Sequence, residues 1–292
     1  MPDWHIGIIG GSGIYEAGAL DEAQQIPVSS PFGEPSGPVT MGRLEGVRFT
    51  FLARHGAGHR LPPSAVNYRA NIDALKRCGV TDVLALSAIG SLREDLAPGH
   101  FVVPDQFIDR TEGRERSFFG AGLTAHVGLA DPVCPRLAEH AAAAAEGGGA
   151  TVRRGGTYVA IEGPQFSTRA ESALYRQWGA DVIGMTAMPE ARLAREAELP
   201  YAVLGMVTDY DCWREGEGVD AAAILAVMQA NVEKARAALV ELARALPEER
   251  APSPIDRALD GAIMTPRAAW DRRTAARLDA VAARYLRSLS DE

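Results

Sequence analysis

Apolar residues recur in this chain in short runs that stop at glycine or polar turns. Longer stretches spaced three and four residues apart separate these runs. Residues 6–9 form an apolar run entering Gly10-Gly11-Ser12-Gly13, which reads as a buried strand ending in a tight turn. Strands of the same kind are predicted over 47–53 (VRFTFLA), 83–87, 101–103, 106–108, 158–161, 182–185 and 201–207. Between them the spacing predicts helices over 63–77, opened by Pro63-Ser64 and closed by Gly79, and over 135–146, 168–178 and 189–198. Asp220 has the chemistry of an N-cap. After it Leu225, Met228, Val232, Ala235, Leu239, Leu242 and Leu246 hold a 3-4-3-4 spacing, the stripe of a long amphipathic helix. Pro252 and Pro254 mark a linker, and a last helix is predicted over 267–288.

Strands alternating with helices indicate an α/β fold. No internal repeat or earlier linker breaks it. One domain over 1–250 with a C-terminal helical appendage over 251–292 is therefore expected.

Composition narrows the class. Of 292 residues 47% are hydrophobic and 23% charged, which excludes a disordered or collagen-like chain. The net charge of −8 argues against a polyanion such as nucleic acid but leaves room for one small anion held by a single arginine. Cys78, Cys134 and Cys212 are widely spaced, so neither a disulfide framework nor a thiolate metal site is expected. No basic, apolar leader opens the chain and no run is long enough to span a membrane, so the expected location is cytoplasmic.

In open α/β sheets ligands gather at the carboxyl ends of strands. Here those ends carry Gly11-Ser12-Gly13, Arg54-His55, Ser87-Ala88, Met185-Thr186 and Asp209-Tyr210-Asp211. Hydroxyls, free backbone N–H groups and one arginine are what a phosphate needs. Each feature alone has a plain alternative: a tight turn, a surface ion pair, an Asp capping a turn. The dinucleotide fingerprint fails at Glu16, and no P-loop is present. His59 and His126 read as isolated structural or surface histidines. His55 and His59 are separated by a loop without acidic or Cys partners, so no metal site is expected. Two carboxyls at 209 and 211, followed by Cys212-Trp213, would raise one another's pKa in a buried setting. One of them could then give up a proton to a leaving group.

The segments IGIIGGSG (6–13), LARHG (52–56), VNYRANIDALK (66–76), SAIGSLRE (87–94), DQFIDRT (105–111), IEGPQFSTRAES (161–172), DVIGMTAMPEARLARE (181–196) and TDYDCW (208–213) together resemble the 5′-methylthioadenosine phosphorylase family, in the purine nucleoside phosphorylase group. The resemblance implies a mixed, twisted β-sheet flanked by helices. It implies phosphorolysis of methylthioadenosine to adenine and 5-methylthioribose 1-phosphate, without metal or organic cofactor and with phosphate as co-substrate. It also implies a homotrimer, a hexamer being the variant.

Carried over residue by residue, the resemblance puts phosphate on Ser12, Arg54, His55, Ser87, Ala88 and Thr186. Met185 falls at the ribose. Ser167, Asp209 and Asp211 fall at the purine, with Asp209 as the acid. Ala221 and Leu225 fall at the methylthio group, and His126 at the neighbouring subunit's site. Ser stands at 12 and 87 where the family often has Thr, which keeps the hydroxyl. Ala221 replaces a larger aliphatic and implies a wider 5′ pocket. The segment after about 250 does not align.

Two other functions compete at this level. A 6-oxopurine or broad-specificity nucleoside phosphorylase, methylthioinosine included, would carry Asn for the leading Asp of the 209/211 pair. A hydrolase would not need Arg54-His55. Outside this class, a dinucleotide-dependent dehydrogenase is opposed by the broken fingerprint. A nucleoside-binding protein without catalysis is opposed by the presence of both the phosphate set and the carboxyl pair.

Overall fold

The structure is a computed structural model that describes residues 3–11, 20–214 and 221–288; the side chains of 221–225 and 288 lie outside that description. The strands are β1 (His5–Gly10), β2 (Asp21–Ile26), β3 (Val39–Leu44), β4 (Val47–Ala53), β5 (Asp82–Ser91), β6 (Phe101–Val103), β7 (Gln106–Arg110), β8 (Val152–Arg154), β9 (Thr157–Ile161), β10 (Val182–Gly184) and β11 (Tyr201–Asp209). The helices are α1 (Tyr68–Arg77), α2 (Pro135–Gly147), α3 (Arg169–Gln177), α4 (Ala187–Glu196), α5 (Ala221–Ala245), α6 (Arg272–Arg277) and α7 (Ala283–Ser288).

One mixed sheet runs in the order β2-β3-β4-β1-β5-β10-β9-β7, and β11, β6 and β8 branch from β5. β5 is the hub. It pairs parallel with β1 and with β11, and its last two residues pair antiparallel with β10. The β5–β11 ladder is regular from Val83↔Tyr201 to Ile89↔Val207; it then shifts, so that Gly90 pairs with Asp209 and Thr208 is skipped.

Side chains of a strand point alternately to the two faces, and the core divides accordingly. Ile9, Val83, Ala85 and Val203 join one apolar layer with Ile72 and Leu75 of α1 and Leu193 of α4. Ile8, Leu84, Leu86 and Leu204 join the other, with Leu137 and Ala142 of α2 and Leu239 of α5. A sheet covered on both faces explains why its central strands are unbroken apolar runs.

The sequence expectations for the central strands and for α2, α3 and α5 agree with these elements to within a few residues at their ends. The helix expected from Pro63 does not start there. Pro63–Ala65 is a single 3-10 turn, Val66 is extended, and Asn67 caps α1 by accepting from the Ala70 N–H at 3.1 Å. The Asn67 side-chain oxygen thereby satisfies one N–H of the first turn of α1. The single helix expected over 267–288 is a 3-10 turn (Arg267–Ala269) followed by α6 and α7. Asp271 caps α6 through the Thr274 N–H at 2.7 Å, and Leu278, Val281 and Ala282 turn inward to the core between the two helices. The hairpin β2–β3 has no counterpart in the hydrophobic pattern, because β2 (DEAQQI) lies exposed at the sheet edge. Asp220, read as a helix cap, lies outside the described residues.

The last segment packs on the α1/α4 side. Leu259 and Leu278 enter that apolar layer, Arg284 Nε binds Glu198 Oε2 at 2.8 Å, and Arg77 pairs with Asp279. Among the described residues no helix is long and apolar enough to cross a membrane.

Candidate active site

β1, β4, β5 and β11 end on the same side of the sheet, and a cavity of about 560 Å³ opens there. Its walls include Arg54, His55, Ser87, Ala88, Ser167, Met185, Thr186, Asp209 and Asp211. A larger, shallow opening of about 720 Å³ beside α3 is lined by Arg93, Glu94, Asp95, Arg176 and Asp181, and holds none of the predicted residues.

Arg54 follows the last residue of β4, and its N–H donates to the Gly10 carbonyl, 2.9 Å away. The side chain is 2% exposed. Its Nε donates to Glu190 Oε1 (2.8 Å) and its Nη2 to Glu190 Oε2 (2.9 Å) and the Ile9 carbonyl (3.2 Å). Nη1 donates to the Leu86 carbonyl at 3.1 Å. Burial opposes the charge, but Glu190 outweighs burial and holds the guanidinium pKa above its ordinary value.

His55 Nδ1 lies 2.8 Å from the Leu61 carbonyl, which can only accept, so Nδ1 carries the proton and Nε2 a lone pair. Burial, reinforced by Arg54, pushes the imidazole down to about 4, which leaves it neutral at pH 7. Its ring stacks on His59, centroids 4.2 Å apart.

Two hydroxyls meet beside this pair. Thr186 occupies the N-cap position of α4, yet its side chain makes no capping bond, and its Oγ1 sits 3.4 Å from Ser87 Oγ. Arg114 braces the turn leading into α4: its Nη1 donates to the carbonyls of Met185 (2.7 Å) and Met188 (2.8 Å).

The carboxyls stand at the other end. Asp209 Oδ1 accepts from Thr208 Oγ1 (2.6 Å) and Oδ2 from the Asp211 N–H (2.9 Å). Asp211 adopts a left-handed conformation (φ 52°), which Asp tolerates better than most residues. Among the described residues its buried Oδ2 makes no hydrogen bond, nor does Ser167 Oγ. Burial pushes the Asp211 carboxyl up, and the nearby Asp209 adds to the rise, although the Ser172 hydroxyl is near enough to the carboxyl to pull its pKa down. Gly90 packs closely here: a Cβ would lie 3.2 Å from Asp209 Oδ2 and 3.0 Å from Ile183, so any larger residue would push on these side chains.

Ser167 is held by its neighbours. Thr168 and Glu171 form a reciprocal capping box on α3. Cys212 Sγ donates to the Ser167 carbonyl at 3.2 Å, and Trp213 Nε1 ties the turn to the Ser91 carbonyl at 2.8 Å.

Not every predicted residue comes to the cavity. Ser12 lies outside the described residues. Ala221 and Leu225 are in the first turns of α5, but their side chains are likewise outside the description. His126 is exposed on a loop away from this cavity, its N–H donating to the Ala262 carbonyl at 2.8 Å. Sequence reasoning missed His59 and Arg60 at the rim, and Phe166, Met206, Met228 and Asn231 in the walls. It also missed Glu190, whose one available signal was that a buried arginine needs a buried acid. Among the described residues no cluster of three or more His, Cys, Asp or Glu could hold a metal.

The phosphorylase superfamily model matches residues 5–244. An S-methyl-5′-thioadenosine phosphorylase of Bradyrhizobium diazoefficiens is 55% identical over 285 residues, 97% of this chain and 98% of the relative. One of Geobacter sulfurreducens is 52% identical over 96% of this chain and 99% of its own length. The crystal structure of a methylthioadenosine phosphorylase from an antarctic soil metagenomic library superposes with a TM-score of 0.91 at 46% identity, covering 96% of this chain and 99% of that one. A methylthioadenosine phosphorylase from Schistosoma mansoni in complex with adenine superposes at 0.78 with 40% identity, over 82% and 91% of the two chains.

Proposed function

This chain belongs to the phosphorylase superfamily and, within it, to the S-methyl-5′-thioadenosine phosphorylase family, and we propose that it converts methylthioadenosine and phosphate to adenine and 5-methylthioribose 1-phosphate. The observation that carries this reading is the convergence of a buried arginine, a neutral histidine and a carboxyl pair, from distant strand ends, on one cavity.

In this reading a phosphate oxygen attacks C1′, the C1′–N9 bond breaks, and its electron pair passes to the purine. The proton of HPO₄²⁻ is in net terms transferred to the base, so the reaction balances with nucleoside and phosphate alone. Positive charge develops on the sugar and negative charge on the purine, and catalysis consists of meeting both.

Phosphate lies against Arg54, His55, Ser87, Ala88 and Thr186, with Ser12 as the further hydroxyl that the resemblance assigns to it. The lone pair on His55 Nε2 supports a specific role for that ring, as acceptor for the single O–H of HPO₄²⁻. Met185 packs on the ribose, and the family resemblance assigns Ala221 and Leu225 to the methylthio group.

At the base, the unpartnered Asp211 Oδ2 is matched by a 6-amino group, which donates. A 6-oxo group would bring a lone pair to that carboxylate instead. Ser167 Oγ offers a further polar contact. Asp209 passes a proton to N7 as the departing purine becomes basic.

The assembly is a homotrimer in which His126 reaches a neighbouring subunit's cavity; the exposed Phe166, Leu174 and Trp178 fit an apolar subunit contact. Residues 1–250 form the catalytic domain and 251–292 an appendage that buttresses its α1/α4 face. The unpaired Cys78, Cys134 and Cys212 fit a reducing cytoplasm.

The test is an assay of methylthioadenosine, methylthioinosine, adenosine and inosine with and without phosphate. Adenine should be released from methylthioadenosine only when phosphate is present. Equal turnover without phosphate, or faster turnover of the oxopurine, would overturn the reading.

A further inference from the structure

Arg54 is bound more completely than a simple anion receptor requires. Of the five N–H donors of a guanidinium, four are used among the described residues: Nε and one Nη2 donor on Glu190, the second Nη2 donor on the Ile9 carbonyl, and one Nη1 donor on the Leu86 carbonyl. Glu190 is 1% exposed. It takes a third donor, the Tyr201 hydroxyl, at 2.9 Å. Tyr201 is the first residue of β11 and is itself buried. Glu190 lies in α4 four residues after its N-cap Thr186, beyond a non-helical Met188 (φ −117°, ψ 136°).

We propose that Glu190 is a positioning residue for phosphate: its two-point grip fixes the Arg54 guanidinium so that the one remaining Nη1 N–H faces the cavity, and it ties that donor to α4, the element that Thr186 leads into. The inference rests on the reading of Arg54 as a phosphate ligand.

Two consequences follow from the charges. The carboxylate cancels the guanidinium, and His55 is neutral. Phosphate therefore meets a preoriented set of dipoles with little net charge at this end. An oxyanion held this way keeps more of its nucleophilicity than one paired with a free cation. Orientation, more than bulk attraction, is then what Glu190 supplies, and its loss should be read in the phosphate kinetics before anything else.

The experiment is steady-state kinetics of the whole enzyme, with phosphate and methylthioadenosine varied separately, for Glu190→Gln, Glu190→Asp, Tyr201→Phe and Arg54→Lys. Glu190→Gln should raise the phosphate KM about tenfold or more, because an amide cannot accept from both Nε and Nη2. The methylthioadenosine KM should stay within about threefold. Glu190→Asp keeps the charge but shortens the reach and should fall between Glu190→Gln and the unmodified enzyme. Tyr201→Phe, which removes one donor from Glu190, should raise the phosphate KM by about threefold.

In an Arg54→Lys background Glu190→Gln should add little, since both act through one group. A role in stability alone would lower the melting temperature and the active fraction, leaving the phosphate KM of the folded enzyme unmoved. If Arg54→Lys raises the phosphate KM but folded Glu190 variants do not, this inference fails and the reading of Arg54 stands. Should Arg54→Lys leave it unchanged, both fail. Should Glu190→Gln not fold, Glu190→Asp and Tyr201→Phe decide: an unchanged phosphate KM in both overturns the proposal.

Discussion

The two ends of the cavity are built on opposite terms. At the Arg54 end the buried charge is already answered: Glu190 takes two of its donors, and main-chain carbonyls take two more. At the Asp211 end a buried carboxylate oxygen and a buried serine hydroxyl make no hydrogen bond among the described residues. An unpaired buried polar atom costs free energy until something meets it. The first end is thus prearranged and should change little on binding. The second is completed by its ligand and should select for a ligand able to complete it. Affinity for the oxyanion comes from geometry fixed in folding, whereas discrimination at the base comes from a deficit left by folding.

The strongest way to break this contrast is to orphan the prearranged end. Arg54→Ala leaves Glu190 buried without its cation, a defect worth about 3–5 kcal/mol. It should lower the melting temperature by about 10 °C, and thermal unfolding checks this; a drop of a degree or two would mean that the pair is not integral to the fold. Next in size, Asp209→Asn should cut kcat for methylthioadenosine about 10²–10⁴-fold with a near-unchanged melting temperature. Turnover close to that of the unmodified enzyme would remove Asp209 as the proton donor.

Asp211→Asn should mainly shift choice. The ratio of kcat/KM for methylthioadenosine over methylthioinosine should fall about 10–100-fold, since an amide can donate to a 6-oxo group. pH gives an independent handle on the same residue. Its carboxyl is raised above the ordinary value by burial and by Asp209. As pH falls through that raised value the acceptor is lost, so kcat/KM for the aminopurine should decline on an acid limb above the usual carboxylate range. The same limb should be absent in Asp211→Asn. Because the folded state binds this proton more tightly than the unfolded chain, Asp211 disfavours folding at neutral pH. That penalty shrinks as pH drops through the raised value toward the unfolded one. The smallest change is Thr208→Val, which removes one donor to Asp209 and should lower kcat/KM about three- to tenfold.

Much of this was legible in the sequence. Unbroken apolar runs such as 201–207 mark strands buried on both faces, and polar residues at their carboxyl ends mark where the ligand sits. The hairpin β2–β3 was not legible, because an exposed edge strand carries no apolar pattern. Nor was Glu190: its significance depends on Arg54, 136 residues away, and contact at such separation leaves no local trace. His59 escaped for a different reason. Gly56-Ala57-Gly58 reads as a loop, but positive φ at Gly56, Gly58 and His59 folds it back so that the two imidazoles stack.

The skipped residue at the end of β11 has a consequence of its own. Val207 pairs with Ile89 and Asp209 with Gly90. Neighbours on β5 point to opposite faces, so Asp209 points away from the layer that holds Val207, although residues two apart in a regular strand share a face. Thr208 thus acts as a parity bit. One inserted residue turns an apolar, core-directed register into a carboxyl aimed at the cavity. The aim of that carboxyl is therefore fixed by a count of residues as much as by their chemistry. Were the ladder regular, with Thr208 opposite Gly90, every side chain of the DYD sequence would be intact and the leading Asp would face the layer that holds Val207.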